Sequence, residues 1–435
     1  MTPPDKQQGE DSEPIEQNPT RRFLRMLGPG FITGASDDDP SGIGTYAVVG
    51  ASLGFATLWT APIMLPLMAA VQYICARVGL VSGMGLAGVL KRHYPRWVLY
   101  PAVLGLLIAN TINAGADIGA IAAAINMLVP IPITWMIVPV ALLILVLQVW
   151  CSYRFIERTF KWLTLALLAY IAAALLTRPD WAEVLRASFV PTFRADARYL
   201  TALVAILGTT ISPYLFFWQA SEEVEEEVSK GRQTLWQREG ASDRELRFAW
   251  WDVSIGMTFS ILVMYFIVLA TASTLFQAGK TDIQSATDAA QALRPLAGDA
   301  CSILLAVGLI GSGLLAVPVL TGASAYAVCD VFGWKMGLNE RPERAKPFYL
   351  MIAASTLVGM LINFLGINPI TALFWTAVIN GFLAPPLLVL IMLISNNKEV
   401  MGERVNGPWS NVLGWAATAA MFAAAIALLL TWGKG

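Results

Sequence analysis

Three consecutive aspartates, Asp37, Asp38 and Asp39, stand inside an apolar run and are followed at once by Pro40, Ser41 and Gly42. A carboxylate at membrane depth is costly unless it meets a cation, a second carboxylate or trapped water, so such groups mark an ion path. A later apolar run is interrupted in a similar place by Gly208-Thr209-Thr210-Ile211-Ser212-Pro213-Tyr214. Proline removes a backbone donor and displaces the carbonyl four residues before it, so each interruption frees polar backbone groups that lipid cannot satisfy. They must line a cavity. The Asp39 carboxylate, the freed carbonyls around Thr209 and the Ser212 hydroxyl form a set of hard oxygen donors. Mg2+, Ca2+ and Mn2+ prefer such donors, whereas softer metals call for thiolate, thioether or imidazole.

Asp39 is the principal candidate ligand, with Asp38 beside it. The bland alternative is that one aspartate caps the second half-helix while the others are solvated in a vestibule. A second polar group lies in a third apolar run, where Asn110, Asn113 and Asp117 recur at helical spacing and share a face. Such a stripe can line a water path, although interhelical hydrogen bonds serve simple packing equally well. Asn363 and Asn380 are weaker candidates of the same kind.

The elements that must position these groups are membrane spans. The chain has 435 residues, 56% hydrophobic and 14% charged, with a mean hydropathy of +0.61, too apolar for a soluble globule. Apolar runs long enough to cross the hydrocarbon core recur over 28–53, 58–80, 98–128, 133–151, 160–177, 200–220, 250–277, 300–329, 347–366, 370–395 and 411–432, about eleven spans in all. The two interruptions lie five spans apart, so each falls in the first helix of a half and the halves start in opposite orientations. Interrupted helices at matching positions of an inverted repeat point to a binding site at the bilayer midplane. The expected organisation is a tail over 1–27, a first half over 28–177 (spans 1–5), an extracellular connection over 178–199, a second half over 200–395 (spans 6–10), and a loop with an extra span over 396–435.

The tail is rich in Gln, Glu, Asp and Pro, and is expected to be disordered. Most of the 29 Lys and Arg fall on one side if the N-terminus is cytoplasmic, as the positive-inside rule asks, which leaves the C-terminus outside. The formal net charge of −1 suggests no nucleic-acid role. Cys75, Cys151, Cys301 and Cys329 lie in or at the ends of apolar runs at no metal-ligand spacing and read as packing residues. The single histidine, His93, lies in a basic loop, so no imidazole is expected inside the membrane. The acidic stretch Glu222, Glu223, Glu225, Glu226 and Glu227 reads as a solvated helical extension, with a role in gathering cations near the inner mouth as the minority view.

From Gly28 to Thr45 and from Leu207 to Gln219 the chain resembles the NRAMP family of divalent-metal transporters, and the hydropathy layout matches across almost all the rest. That family opens its first helix on Gly-Pro-Gly, breaks it at Asp-Pro-Gly-Asn, and carries Met-Pro-His in helix six; Asp39-Pro40-Ser41-Gly42 and Ser212-Pro213-Tyr214 stand in those places here. The resemblance implies an all-α integral membrane protein of the LeuT-type fold, with a five-plus-five inverted repeat and broken helices 1 and 6. Ordinary members bind a largely dehydrated manganese or iron ion with the Asp, Asn and Met side chains and a carbonyl three residues before the Met. Carried over, these are Asp39, Gly42 for the Asn, Ser212 for the Met, and the Thr209 carbonyl. Replacement of Asn by Gly42 widens the pocket, and replacement of Met by Ser212 removes the discriminating sulfur. Mg2+ sheds water reluctantly, so a wide, oxygen-only site suits it. The pattern resembles the NRAMP-related magnesium transporter branch.

The expected function is therefore import of Mg2+, and also Mn2+, as a partly hydrated ion by alternating access. The electrical driving force is roughly 2.3 kcal/mol per charge per 100 mV. Tyr214 stands where ordinary members have a proton-route His, so weak or no proton coupling is expected; Asp117, near an acidic helix-three position of the family, could carry protons without it. The alternative readings are a proton-coupled Mn2+/Fe2+ transporter and a sodium-coupled organic solute transporter of the same fold, which the Asp triplet disfavours for an anionic substrate. An intramembrane aspartyl protease pairing Asp39 with Asp117 leaves the matched breaks without purpose, so no enzyme activity is expected. The expected partners are the divalent ion as cargo and the bilayer of the cell membrane, with no resident cofactor and no obligatory protein partner.

Overall fold

The computed structural model describes residues 28–150 and 165–431, and among these every regular element is helical. The tail and Cys151 lie outside the described residues. The principal helices are α1 (Pro29–Asp37), α2 (Pro40–Leu53), α3 (Thr60–Ser82), α4 (Arg96–Leu128), α5 (Ile133–Trp150), α6 (Ala169–Leu176), α7 (Ala197–Thr210), α8 (Pro213–Ser229), α9 (Asp243–Thr271), α10 (Cys301–Phe332), α11 (Lys346–Ile362), α12 (Pro369–Ser395) and α13 (Pro408–Thr431). Nine helical segments among the described residues are long and apolar enough to cross a bilayer, α7 and α8 counting as one. The α1–α2 pair, each piece short by itself, adds a tenth crossing; of the expected span over 160–177, residues 160–164 lie outside the described residues and the described part is a short apolar helical stretch ending in α6.

The two interruptions have the same backbone shape. α1 ends at Asp37, Asp38 turns to φ −81°, ψ 50°, and α2 restarts after the extended Asp39 at φ −69°, ψ 167°. α7 ends at Thr210, Ile211 turns to φ −105°, ψ 63°, and α8 restarts after the extended Ser212 at φ −78°, ψ 132°. Both restarts place proline at the first helical position, where its missing N–H would have had no partner anyway. Pro40 and Pro213 thus do in structure what their sequence positions imply.

Two close helix crossings fix the broken pieces against their supports. α1 lies on α9 so tightly that a Cβ added at Gly34 would stand 2.2 Å from the Gly256 carbonyl oxygen. α7 lies on α12 in the same manner, with a Cβ at Gly208 meeting the Ala377 carbonyl oxygen at 2.1 Å. Small residues of this kind let backbones approach where no hydrophobic force drives helices together. The connection before α7 holds a short helix, Trp181–Phe189, capped by Asp180. Cys75, Cys301 and Cys329 are free and buried, in keeping with a packing role.

Two expectations change on inspection of the packing. The acidic stretch is indeed a helical continuation of α8, but Glu223 and Glu227 are buried within it. Gln219 donates to Glu223 at 2.9 Å, and Arg232 bonds Glu227 at 2.5 Å. Asn110 turns away from the polar stripe: its amide donates to the Leu320 carbonyl at 3.1 Å and the Ser324 hydroxyl at 3.0 Å on α10. It therefore serves helix packing. Asn363 does likewise, donating to the Gly115 carbonyl at 2.8 Å.

Candidate functional site

Asp39 caps α2. Its Oδ1 accepts from the Gly42 backbone N–H at 2.7 Å and from the Ser41 hydroxyl at 2.7 Å, so the sequence motif folds back on its own carboxylate. The other oxygen, Oδ2, accepts from the Asn113 amide at 2.9 Å. The same Asn113 nitrogen reaches Asp117 Oδ2 at 3.2 Å, one turn further along α4, and the Asn113 carbonyl oxygen accepts from Asn380 at 3.3 Å on α12. The structure thus joins Asp39, Asn113, Asp117 and Asn380 in one buried network.

The second break faces the first across Gly42. A Cβ added at Gly42 would stand 3.3 Å from the Asp37 carbonyl oxygen, 3.3 Å from the Thr209 hydroxyl and 3.4 Å from Asp39 Oδ1. Glycine at this position lets oxygens from both interruptions draw close to the backbone, closer than a Cβ would comfortably allow. The Ser212 hydroxyl donates its one proton to the Thr209 carbonyl at 2.6 Å, with the Gly208 carbonyl 3.0 Å away as the alternative acceptor, which leaves its lone pairs unspent. The Tyr214 hydroxyl donates to the Ser36 carbonyl at 2.9 Å, tying the start of α8 to the end of α1. One thioether stands nearby: Met264 on α9 meets the Thr210 hydroxyl at 3.6 Å, and Thr210 in turn lies 3.3 Å from the Tyr46 hydroxyl. Sequence reasoning missed it, because a methionine within an apolar run carries no signal of its own.

Asp37 and Asp38 are not solvated, contrary to the vestibule expectation. Asp37, Asp38 and Asp117 are 0% exposed and Asp39 is 1% exposed. The first two turn away from Gly42 toward Ser260 on α9, whose hydroxyl lies 2.5 Å from Asp37 Oδ2 and 3.4 Å from Asp38 Oδ1. Asp37 Oδ1 and Asp38 Oδ2 have no hydrogen-bond partner, and Asp117 Oδ1 has none either. Among the described residues no three His, Cys, Asp or Glu side chains gather as a ready-made metal cage, so backbone and hydroxyl oxygens have to complete any ion site here.

A further residue that sequence reasoning missed is Asp252 on α9, 1% exposed, which holds the N-terminus of α1. Its Oδ1 accepts from the Gly28 N–H at 2.8 Å and the Phe31 N–H at 3.2 Å, and its Oδ2 from the Gly30 N–H at 2.7 Å. Three N–H groups that a helix start leaves orphaned are thereby satisfied by one carboxylate from another helix. The only sequence signal was a lone acid just inside an apolar run.

Comparison with known proteins gives consistent results. The family model described as "Natural resistance-associated macrophage protein-like", Nramp, matches residues 30–431. A curated relative from Deinococcus radiodurans, "Divalent metal cation transporter MntH", is 28% identical over 405 residues, covering 91% of this chain and 87% of the relative. A protein of the same name from Klebsiella pneumoniae is 26% identical over 407 residues, covering 91% of each. Among solved structures, the Eremococcus coleocola manganese transporter superposes with a TM-score of 0.73 at 19% identity, over 96% of this chain and 88% of that one. The nucleobase-cation-symport-1 transporter Mhp1 superposes with a TM-score of 0.56 at 14% identity, over 94% and 93%. These likenesses establish the fold as LeuT-type, and the two breaks are those seen between α1 and α2 and between α7 and α8.

Proposed function

The chain belongs to the Nramp family, and from that premise we propose that it carries divalent metal cations across a membrane, through a site built from Asp39, the Thr209 carbonyl, the Ser212 hydroxyl and the space at Gly42. The observation that carries this reading is the convergence at Gly42 of the Asp37 carbonyl and Asp39 carboxylate of one break with the Thr209 hydroxyl of the other. Asp38, one residue before the capping aspartate, adds charge beside the site without facing Gly42.

Mn2+ is supported as cargo by the likeness to the Eremococcus coleocola manganese transporter, and a divalent metal cation in general by the likeness to the MntH relatives. Mg2+ is supported beside it by the donor set: the positions facing Gly42 offer oxygen alone, and Met264 stands behind Thr210. An oxygen-only site in which water can remain does not discriminate strongly against Mg2+. The two halves, 28–177 and 200–395, would rock against each other to expose the site alternately, with the N-terminus in the cytoplasm and the C-terminus outside.

A second reading, proton-coupled transport of Mn2+ or Fe2+, draws on Asp117. Its carboxylate shares the Asn113 amide with Asp39, so a proton and an ion could be exchanged between neighbouring acids without any histidine. Purified protein in proteoliposomes separates the readings. Influx of both Mn2+ and Mg2+ without a pH gradient, lost in Asp39→Ala, supports the main reading. Influx of Mn2+ alone accompanied by acidification of the lumen supports the second. Normal transport by Asp39→Ala refutes the site.

A further inference from the structure

The site at Gly42 takes only the backbone carbonyl of Asp37 and nothing from Asp38, yet the side chains of both are fully buried. Their carboxylates converge on one hydroxyl, that of Ser260, which carries a single proton and can serve only one of them. Each keeps an oxygen with no partner, Asp37 Oδ1 and Asp38 Oδ2, and the preceding Ser36 hydroxyl is buried and unpartnered as well. None of the ion pairs among the described residues involves either acid. They also sit at the C-terminal end of α1, where the helix presents its negative pole; half-helix ends of this kind hold cations in broken-helix carriers. Two adjacent buried charges held by one neutral donor would be strongly destabilising by themselves.

We infer that Asp37, Asp38 and the Ser260 hydroxyl hold a second divalent cation, separate from the ion at Asp39 and on the α9 side of the break. Two carboxylates and a hydroxyl are the donors a hard divalent ion takes, with water filling the remaining positions. The inference rests on the reading of the chain as a divalent-cation carrier, and the number of ions bound tests it apart from that reading.

The measurement is equilibrium dialysis of the purified, monodisperse full chain against radioactive Mn2+ in choline buffer. Two ions per chain are expected, one in Asp37→Asn/Asp38→Asn, and one in Asp39→Asn. Ser260→Ala, a milder change, is expected to keep two ions while weakening one of them about tenfold, the loss of one oxygen that holds the ion or orients its carboxylates. One ion per chain in the unaltered protein, kept in the double variant and lost in Asp39→Asn, overturns the inference and leaves the proposed function standing. It would mean that protons neutralise the pair. A count of two that falls to one when sodium replaces choline assigns the pocket to sodium and overturns the divalent occupant. No Mn2+ bound by any form refutes both readings.

Discussion

Replacing Asp252 with alanine is expected to release α1 from α9. The carboxylate satisfies the N–H groups of Gly28, Gly30 and Phe31, two of them at 2.7–2.8 Å, and it opposes the positive pole of a helix only nine residues long. A hydrogen bond to a charged group contributes about 1.5–3 kcal/mol, and an anion at a helix start up to about 2 kcal/mol. These contributions overlap, and N–H groups freed by opening regain water, so the docked position should lose about 3 kcal/mol in all. At 1.4 kcal/mol per tenfold, that is a rise of roughly 100-fold in the equilibrium for local opening. The far end of α1 offers little resistance, because the chain there is already out of helical conformation at Asp38 and Asp39. Hydrogen exchange read by mass spectrometry on peptides covering 28–37 measures this directly. Protection should fall about 100-fold there in Asp252→Ala, and about tenfold in Asp252→Asn, which keeps an accepting oxygen and loses the charge. Peptides from α13 should not change. Unaltered exchange over 28–37, or an equal loss across all peptides, would refute the reasoning, the first because the clamp contributes nothing and the second because the whole fold has been weakened.

Gly34→Ala should separate the same helices by another route: its Cβ would stand 2.2 Å from the Gly256 carbonyl oxygen, and overpacking of this sort costs about 1–3 kcal/mol, read as a lowered thermal midpoint and lost ion influx. Asn113→Ala removes the amide shared by Asp39 and Asp117 and should raise the apparent KM for Mn2+ about tenfold in proteoliposomes, with the maximal rate little changed. Tyr214→Phe loses one hydrogen bond to Ser36, about 1 kcal/mol, and should leave the pH profile of uptake unaltered, since a phenol keeps its proton through the neutral range; a shifted profile would make Tyr214 part of a proton route.

The parts of this molecule that were legible in its sequence are those written in local chemistry. Pro40 and Pro213 mark the restarts of α2 and α8 because a proline inside a span removes a backbone donor, and a break of that kind is visible without knowing what it packs against. Span count was legible for the same reason, since bilayer thickness imposes a length that hydropathy reports directly. What was not legible depends on partners far away in the chain. Asp252 meets Gly28 across 224 residues, and Ser260 meets Asp37 across 223. A hydropathy window averages a lone acid or hydroxyl into its apolar surroundings and says nothing about which helix faces it. Asn110, Asn113 and Asp117 make the point within one helix: periodicity placed them on one face, but only the neighbours of α4 separate Asn110, which bonds α10, from Asn113, which bonds Asp39, and Asp117, which shares the Asn113 amide.

The charge arrangement gives the site its character. Asp37, Asp38, Asp39 and Asp117 are all buried, and no Lys, Arg or His among the described residues pairs with any of them. The ion pairs that do form lie elsewhere, as in Arg232 with Glu227 and Glu245, or Arg92 with Glu239. The fold instead supports its buried acids with neutral donors: the Gly42 N–H, the hydroxyls of Ser41 and Ser260, and the Asn113 amide. Neutral donors orient a carboxylate and offset part of its desolvation without cancelling its charge. A lysine or arginine in their place would stabilise the resting protein better and would leave an arriving cation nothing to neutralise. In the proposed site, buried carboxylates left without a fixed cation are what would let a divalent ion compete with water and protons for them. The neutral donors, weaker partners than a cation, are the groups it would displace on arrival.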